Sequence, residues 1–220
     1  MKNFLNPHIV CKMRFLFCLY KYFPHGGLQR NLYRIAEECH LRGHDIECCT
    51  REWLGERPQW LKIILLPSKK LTNIGKDKDF LTSVNRLVGQ SDYDCVIGFN
   101  RMPGLDVYYA ADPCFAHKNG RRGLLYRMSR RFRYRQRWEQ RIFAEPNDVS
   151  ILMLSDKQKQ LFQSIYHTSD KRIFDMPPNL SRGSSGSEDQ SEARKKIAGE
   201  LGFSVRKNII LMVASAFYTK

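Results

Sequence analysis

The chain has 220 residues, 42% hydrophobic and 27% charged, enough for one well-buried domain and the start of a second. Its formal net charge of +15 calls for a polyanionic partner: nucleic acid, an anionic lipid surface or a phosphorylated substrate. Seven cysteines with no C-x-x-C pair, and no apolar run near the roughly eighteen residues of a membrane span, argue against a disulfide framework, a zinc site and a bilayer-crossing helix. A reducing, cytoplasmic setting fits best.

Residues 1–12 carry no clear period and read as an extension ahead of the first strand, residues 14–20. After the pair Gly26-Gly27, the residues Leu28, Leu32, Ile35, Ala36 and Cys39 share one helical face. Gly43 ends that helix as a C-cap, with His40 and His44 as exposed side chains beside it, and "DIECCT" is the next strand. The unit is strand, glycine turn, helix, strand. The glycines stand at the carboxyl end of a strand and the start of a helix, where free N–H groups favour phosphate. They do not form G-x-G-x-x-G, so a simple turn and a phosphate cradle fit equally well.

"WLKIILLP" is a strand closed by Pro67, and residues 77–90 form a helix with Phe80, Leu81, Val84, Leu87 and Val88 on one side. The short apolar runs "DCVIGF", "DVYYAA" and "VSILML" have the composition of strands buried in a parallel sheet, and "KQKQLFQSIY" is a helix. Strands alternating with helices predict a doubly wound, Rossmann-like α/β domain over residues 13–176. Asp106 and Asp112 flank one central run as candidate catalytic carboxylates, although Asp112 before Pro113 also suits a turn. Asn100 and Lys157 follow two other strands as candidate acceptor-binding residues; Asn100 equally suits its turn, and Lys157 equally suits an ordinary helix start.

Between Lys118 and Arg141 lie ten Lys or Arg residues and a single acid, Glu139. Leu124, Met128 and Phe132 recur every four residues, and Tyr126, Tyr134 and Trp138 suit an interface. This predicts one basic amphipathic helix that docks on anionic lipid, with Arg127, Arg130, Arg131, Arg133, Arg135 and Arg137 as its cations. RNA is the competing polyanion, but no RNA-binding module is recognisable. Residues 177–196 are rich in Pro, Ser and Gly, the mark of a linker, while the helix "SEARKKIAGELG", which starts within its last residues, and the strand "KNIILMVASAF" begin a second α/β domain over 197–220. The elements predict a chain cut short after that start.

The stretches "CLYKYFPHGGLQR", "RGHDIECCT", "VIGFNRMPGLDVYYAAD", "GLLYR", "LSDKQ" and "PPNL" together resemble the bacterial lipopolysaccharide core glucosyltransferases. These are retaining, two-domain (GT-B) nucleotide-sugar transferases of glycosyltransferase family 4. The resemblance implies an amino-terminal acceptor domain and a carboxy-terminal domain that grips UDP-glucose, with transfer to an inner-core heptose and no metal ion. It places Gly26 and Gly27 against the donor diphosphate and Asp112 at the reacting face. Lys220 matches the lysine of an Arg-Lys pair for the phosphates. Thr219 stands at that pair's arginine position, and Ala216, Tyr218 and Asn179 also depart from the pattern. The resemblance further implies docking of residues 115–141 on the inner face of the bacterial inner membrane, and no nucleic-acid partner.

Overall fold

The computed structural model describes residues 12–120, 122–176 and 187–204, and within the last stretch the side chains from 191 onward. The chain divides after residue 178 into two compact units. The first is built on a seven-stranded, wholly parallel sheet in the order β3-β2-β1-β4-β5-β6-β7. Its strands are β1 (Arg14–Leu19), β2 (Asp45–Thr50), β3 (Lys62–Leu65), β4 (Cys95–Gly98), β5 (Val107–Ala110), β6 (Ser150–Met153) and β7 (Ile173–Asp175). This is the expected Rossmann-like α/β fold.

Strand periodicity sorts the core into two layers. Leu16, Cys18, Cys49, Val96, Tyr108, Ala110, Ile151 and Met153 are buried on one face. They pack against α2 (Asn73–Gly89), α5 (Arg130–Phe143) and α6 (Asp156–Tyr166) through Phe80, Val84, Ile142, Phe143, Phe162 and Tyr166. Phe17, Leu19, Ile46, Cys48 and Tyr109 turn the other way, onto Leu32 and Ala36 of α1 (Gly27–Leu41). Central strands that are apolar on both sides are what two covered faces demand.

The helix ends follow local chemistry. Gly43 adopts φ +89° just beyond α1, the left-handed geometry that a C-cap glycine supplies cheaply. His40 is exposed as expected and stacks on Trp60, whereas His44 is half-buried and accepts a hydrogen bond from the Met13 N–H through Nδ1 at 3.2 Å. Helix α2 begins four residues before its apolar period, because the Thr72 hydroxyl caps it by accepting from the Gly75 N–H. β7 has only three residues and escaped the sequence reading; it pairs with β6 at the sheet edge.

The second unit contains α7 (Ser187–Leu201). The helix begins at Ser187, four residues ahead of the expected helix "SEARKKIAGELG" and within the stretch that composition assigns to the linker. The strand expected near residues 207–217 lies outside the described residues.

Glu47 joins three strands and the turn before β4. Its carboxylate receives Arg14 Nη2 at 2.7 Å, Lys62 Nζ at 3.1 Å and the Tyr93 hydroxyl at 2.6 Å. Burial raises the Glu47 pKa, but these three donors outweigh it and hold the carboxyl below its ordinary value. The stabilisation is present in full above the unfolded glutamate value of about 4.3 and is lost as pH falls through the lower folded value. Urea unfolding of Glu47→Gln should therefore show a shallower loss of stability between about pH 6 and pH 3 than the parent chain.

Candidate functional site

The chain winds outward from β1 to β3 and then from β4 to β7 on the other side, so the connection reverses between β1 and β4. A crevice forms beyond the carboxyl ends at such a reversal, and ligands of open α/β sheets bind there. Three segments rim it: the Gly26-Gly27 turn after β1, Asn100-Arg101 after β4, and residues 111–116 after β5.

Neither glycine needs a left-handed backbone. Gly26 is the N-cap of α1 at φ −81°, ψ 135°. What it needs is room: a Cβ there would overlap the Gln29 carboxamide and the Phe23 ring, and Gln29 in turn donates to the Lys21 carbonyl at 3.0 Å. Gly27 differs, since a Cβ on it meets nothing within 4 Å. Among the described residues, helix α1 has no capping side chain and no acid in its first turn, so no side chain answers its leading N–H groups and dipole beside Gly27. The turn combines a close-packed glycine with an open one at an uncapped helix start.

Asp112 lies exposed on the loop after β5, and buried groups hold that loop. Arg101 Nη1 pairs with Glu139 Oε1 at 2.9 Å, with the two side chains 7% and 0% exposed. Glu139, on α5, also accepts from the backbone N–H groups of Phe115 (2.7 Å) and Ala116 (2.9 Å), the first turn of α3 (Phe115–Gly120), and from the Tyr166 hydroxyl (2.7 Å). Arg101 Nη2 donates to the Pro113 carbonyl at 3.1 Å. From α6, Gln158 Oε1 accepts the Cys114 N–H at 2.8 Å. Residues 112–116 are thus fixed from β4, α5 and α6 together. Burial first, and the Glu139 charge second, push the Cys114 thiol up to about 11, which favours its protonated form.

The structure separates the sequence candidates. Gly26, Gly27 and Asp112 all lie at carboxyl strand ends. Asp106 does not, which corrects its expected catalytic role: it precedes β5 at the amino end, where its carboxylate accepts the Val96 N–H at 2.7 Å and its carbonyl accepts from Ser150. Asn100 sits at the crevice, but its Oδ1 accepts the Tyr20 N–H at 2.7 Å and so joins the loops after β1 and β4. Lys157 is exposed in the first turn of α6, next to the Gln158 that secures the Asp112 loop. Lys220 lies outside the described residues. Arg101, Glu139 and Gln158 were missed; the one signal for them was a lone acid inside a basic stretch.

That basic stretch is not one helix. Ser129 ends α4 (Leu124–Met128) and caps α5, its hydroxyl accepting from the Phe132 N–H. Phe132 and Trp138 turn into the protein and Tyr134 packs on Trp138, while Leu124, Leu125 and Met128 stand 71%, 87% and 61% exposed. Arg127, Arg130, Arg131, Arg133 and Arg137 are exposed. Arg135 is the exception and a correction: its Nη2 pairs with the buried Asp77 at 2.8 Å, alongside Arg51 at 3.1 Å. Among the described residues, no helix is long and apolar enough to cross a membrane, and no group of three or more His, Cys, Asp or Glu is placed to hold a metal ion.

No family model matches the chain. It is 38% identical over 205 residues to the lipopolysaccharide glucosyltransferase WaaG of Escherichia coli (strain K12), covering 93% of this chain and 55% of that protein. It superimposes on the crystal structure of WaaG, a glycosyltransferase involved in lipopolysaccharide biosynthesis, with a TM-score of 0.79. That match has 37% identity and covers 88% of this chain and 53% of the other. The chain spans about half the length of the relatives it matches.

Removing one member of the Arg101–Glu139 pair leaves the other charge buried and alone. Glu139→Ala should lower unfolding stability by about 3–5 kcal/mol, and the double change Arg101→Met with Glu139→Leu should cost less than the single one. Urea titration of the three chains measures both.

Proposed function

We propose that this relative of a lipopolysaccharide glucosyltransferase forms the acceptor-side half of a retaining transferase that moves glucose from UDP-glucose to an inner-core heptose. The observation that carries the reading is identity at 38% running through 93% of the chain, on a sheet of the same fold. The local geometry is compatible with it. Open space over Gly27 and the uncapped start of α1 suit the close approach of a diphosphate and sugar. Asp112 is an exposed carboxylate on the braced loop that rims the crevice, where it could orient a reacting hydroxyl or stabilise developing positive charge.

In this reading no metal ion takes part, and backbone N–H groups and cations meet the diphosphate charge. The 220-residue chain alone should not turn over UDP-glucose, because the resemblance assigns the uridine diphosphate grip to a second domain. A chimera in which this chain replaces the matching 205 residues of the E. coli protein should transfer glucose to a heptose-terminated core acceptor. Chelation with EDTA should leave its rate unchanged. Asp112→Asn in that chimera should reduce kcat about 10²–10⁴-fold with little change in KM. A folded chimera that binds UDP-glucose yet glucosylates no saccharide would overturn the assignment.

We also propose that α4 and α5 seat the protein on the inner face of the inner membrane. Exposed Leu124, Leu125 and Met128 would enter the headgroup boundary, with Arg127, Arg130, Arg131, Arg133 and Arg137 around them meeting anionic lipid. Each cation contributes about 1 kcal/mol near such a surface. Changing these five arginines to Gln should abolish sedimentation with phosphatidylglycerol-containing vesicles, whereas Arg135→Gln should chiefly lower stability. Equal binding to neutral vesicles, or salt-sensitive RNA binding that vesicles do not displace, would contradict the lipid reading.

A further inference from the structure

Beside the glycine turn, the loops after β1 and β2 are knitted into one wall. Tyr22 and Trp53 form a parallel bridge, and their rings stack at 3.7 Å with planes 8° apart. The Tyr22 N–H donates to the Glu52 carbonyl at 2.9 Å, the Leu54 N–H donates to the Tyr22 carbonyl at 3.0 Å, and Lys21 pairs with Glu52 at 3.0 Å. Gly55 has φ +97°, and a Cβ there would strike the Pro24 ring at 2.8 Å, so the two loops touch at a point where only glycine fits. Trp53 Nε1 donates to the Glu56 carbonyl and fixes the next turn.

This wall borders an open pocket of about 490 Å3, lined by Tyr22, Tyr33, His25, Glu56 and Arg57 with Pro24, Gly55 and Pro58. The volume lies within the roughly 300–1,000 Å3 of small-molecule sites. Two features define what fits. The lining carries the rings of Tyr22 and Tyr33, which match the C–H faces of a ring with a flat apolar side. Its polar groups are of both signs: among the described residues, the side chains of Glu56, Arg57 and His25 form no hydrogen bond or ion pair, so the carboxylate can accept and the guanidinium can donate. One carboxylate and one guanidinium offset each other, so charge alone draws neither an anion nor a cation into the pocket. Vicinal hydroxyls, which donate and accept at once, satisfy both.

We propose that this cavity is a saccharide subsite. It takes a neutral pyranose ring of the acceptor, held by Glu56 and Arg57 through adjacent hydroxyls against Tyr22 and Tyr33. The proposal rests on the transferase reading above and adds to it where the acceptor lies: outside β1 and β2, on the far side of the Gly26-Gly27 turn from Asn100 and Asp112. Neither Asn100 nor Lys157 belongs to it.

The test is titration of the full 220-residue chain with a heptose-terminated core oligosaccharide, and separately with UDP, followed by calorimetry and by the ring resonances of Tyr22 and Tyr33. Glu56 and Arg57 are exposed, so Glu56→Gln and Arg57→Ala should leave the thermal midpoint unchanged. Each should weaken oligosaccharide binding about tenfold or more, as expected for losing a hydrogen bond to a charged group. Oligosaccharide shifts at the Tyr22 and Tyr33 rings that these two variants diminish would support the subsite. Binding that neither variant alters would overturn it and leave the acceptor-side reading standing. A parent chain that binds no oligosaccharide would overturn both. UDP binding weakened by the same two variants would assign the cavity to the nucleotide and refute the proposal.

Discussion

The candidate site depends on one buried ion pair. Arg101 and Glu139 lie 2.9 Å apart, almost without solvent, and desolvating two charges costs several kcal/mol before any attraction is counted. Glu139 offsets that cost by gathering two helix-start N–H groups and the Tyr166 hydroxyl, while Arg101 bonds the Pro113 carbonyl. The pair fixes position more than it adds stability. It clamps the segment after β5 to the loop after β4 and to helices α5 and α6. An exposed loop with an acid at its tip would otherwise sample many orientations, whereas this one presents Asp112 in one.

The same logic runs through the glycine turn. Gly26 is small because Gln29 and Phe23 pack onto it, and that packing holds the start of α1 against the strand end. Gly27 leaves open space over an uncapped helix start. One glycine serves the packing and its neighbour leaves the helix start open. Asn100 completes the arrangement by bonding the Tyr20 N–H, so the two strands at the reversal point share one rigid rim.

Charge in the basic segment is divided by the same packing. Ser129 breaks the helix, and the break sends Phe132, Trp138 and Ile142 inward and leaves Leu124, Leu125 and Met128 outside. Arg135 is taken by Asp77, which it shares with Arg51 from the end of β2, so one expected surface cation is part of the scaffold. The apolar four-residue spacing was real, but its members serve two different surfaces. Spacing cannot reveal a helix break when the breaking residue is a serine whose capping partner is the backbone three residues on.

Periodicity and composition determined the parallel α/β sheet, the glycine turn at a strand end and the positive charge between residues 118 and 141, because each is a property of neighbours along the chain. Ordered motifs added the likeness to the lipopolysaccharide glucosyltransferases. The tertiary structure alone decided that Asp106 binds the Val96 N–H at the wrong end of the sheet, that Glu139 is a buried brace and not a stray surface acid, and that β7 joins the edge. It also decided that Tyr22, Tyr33, Glu56 and Arg57 surround one cavity. Those outcomes depend on groups up to 38 residues apart along the chain, as with Arg101 and Glu139, and only folding sets the distance between them.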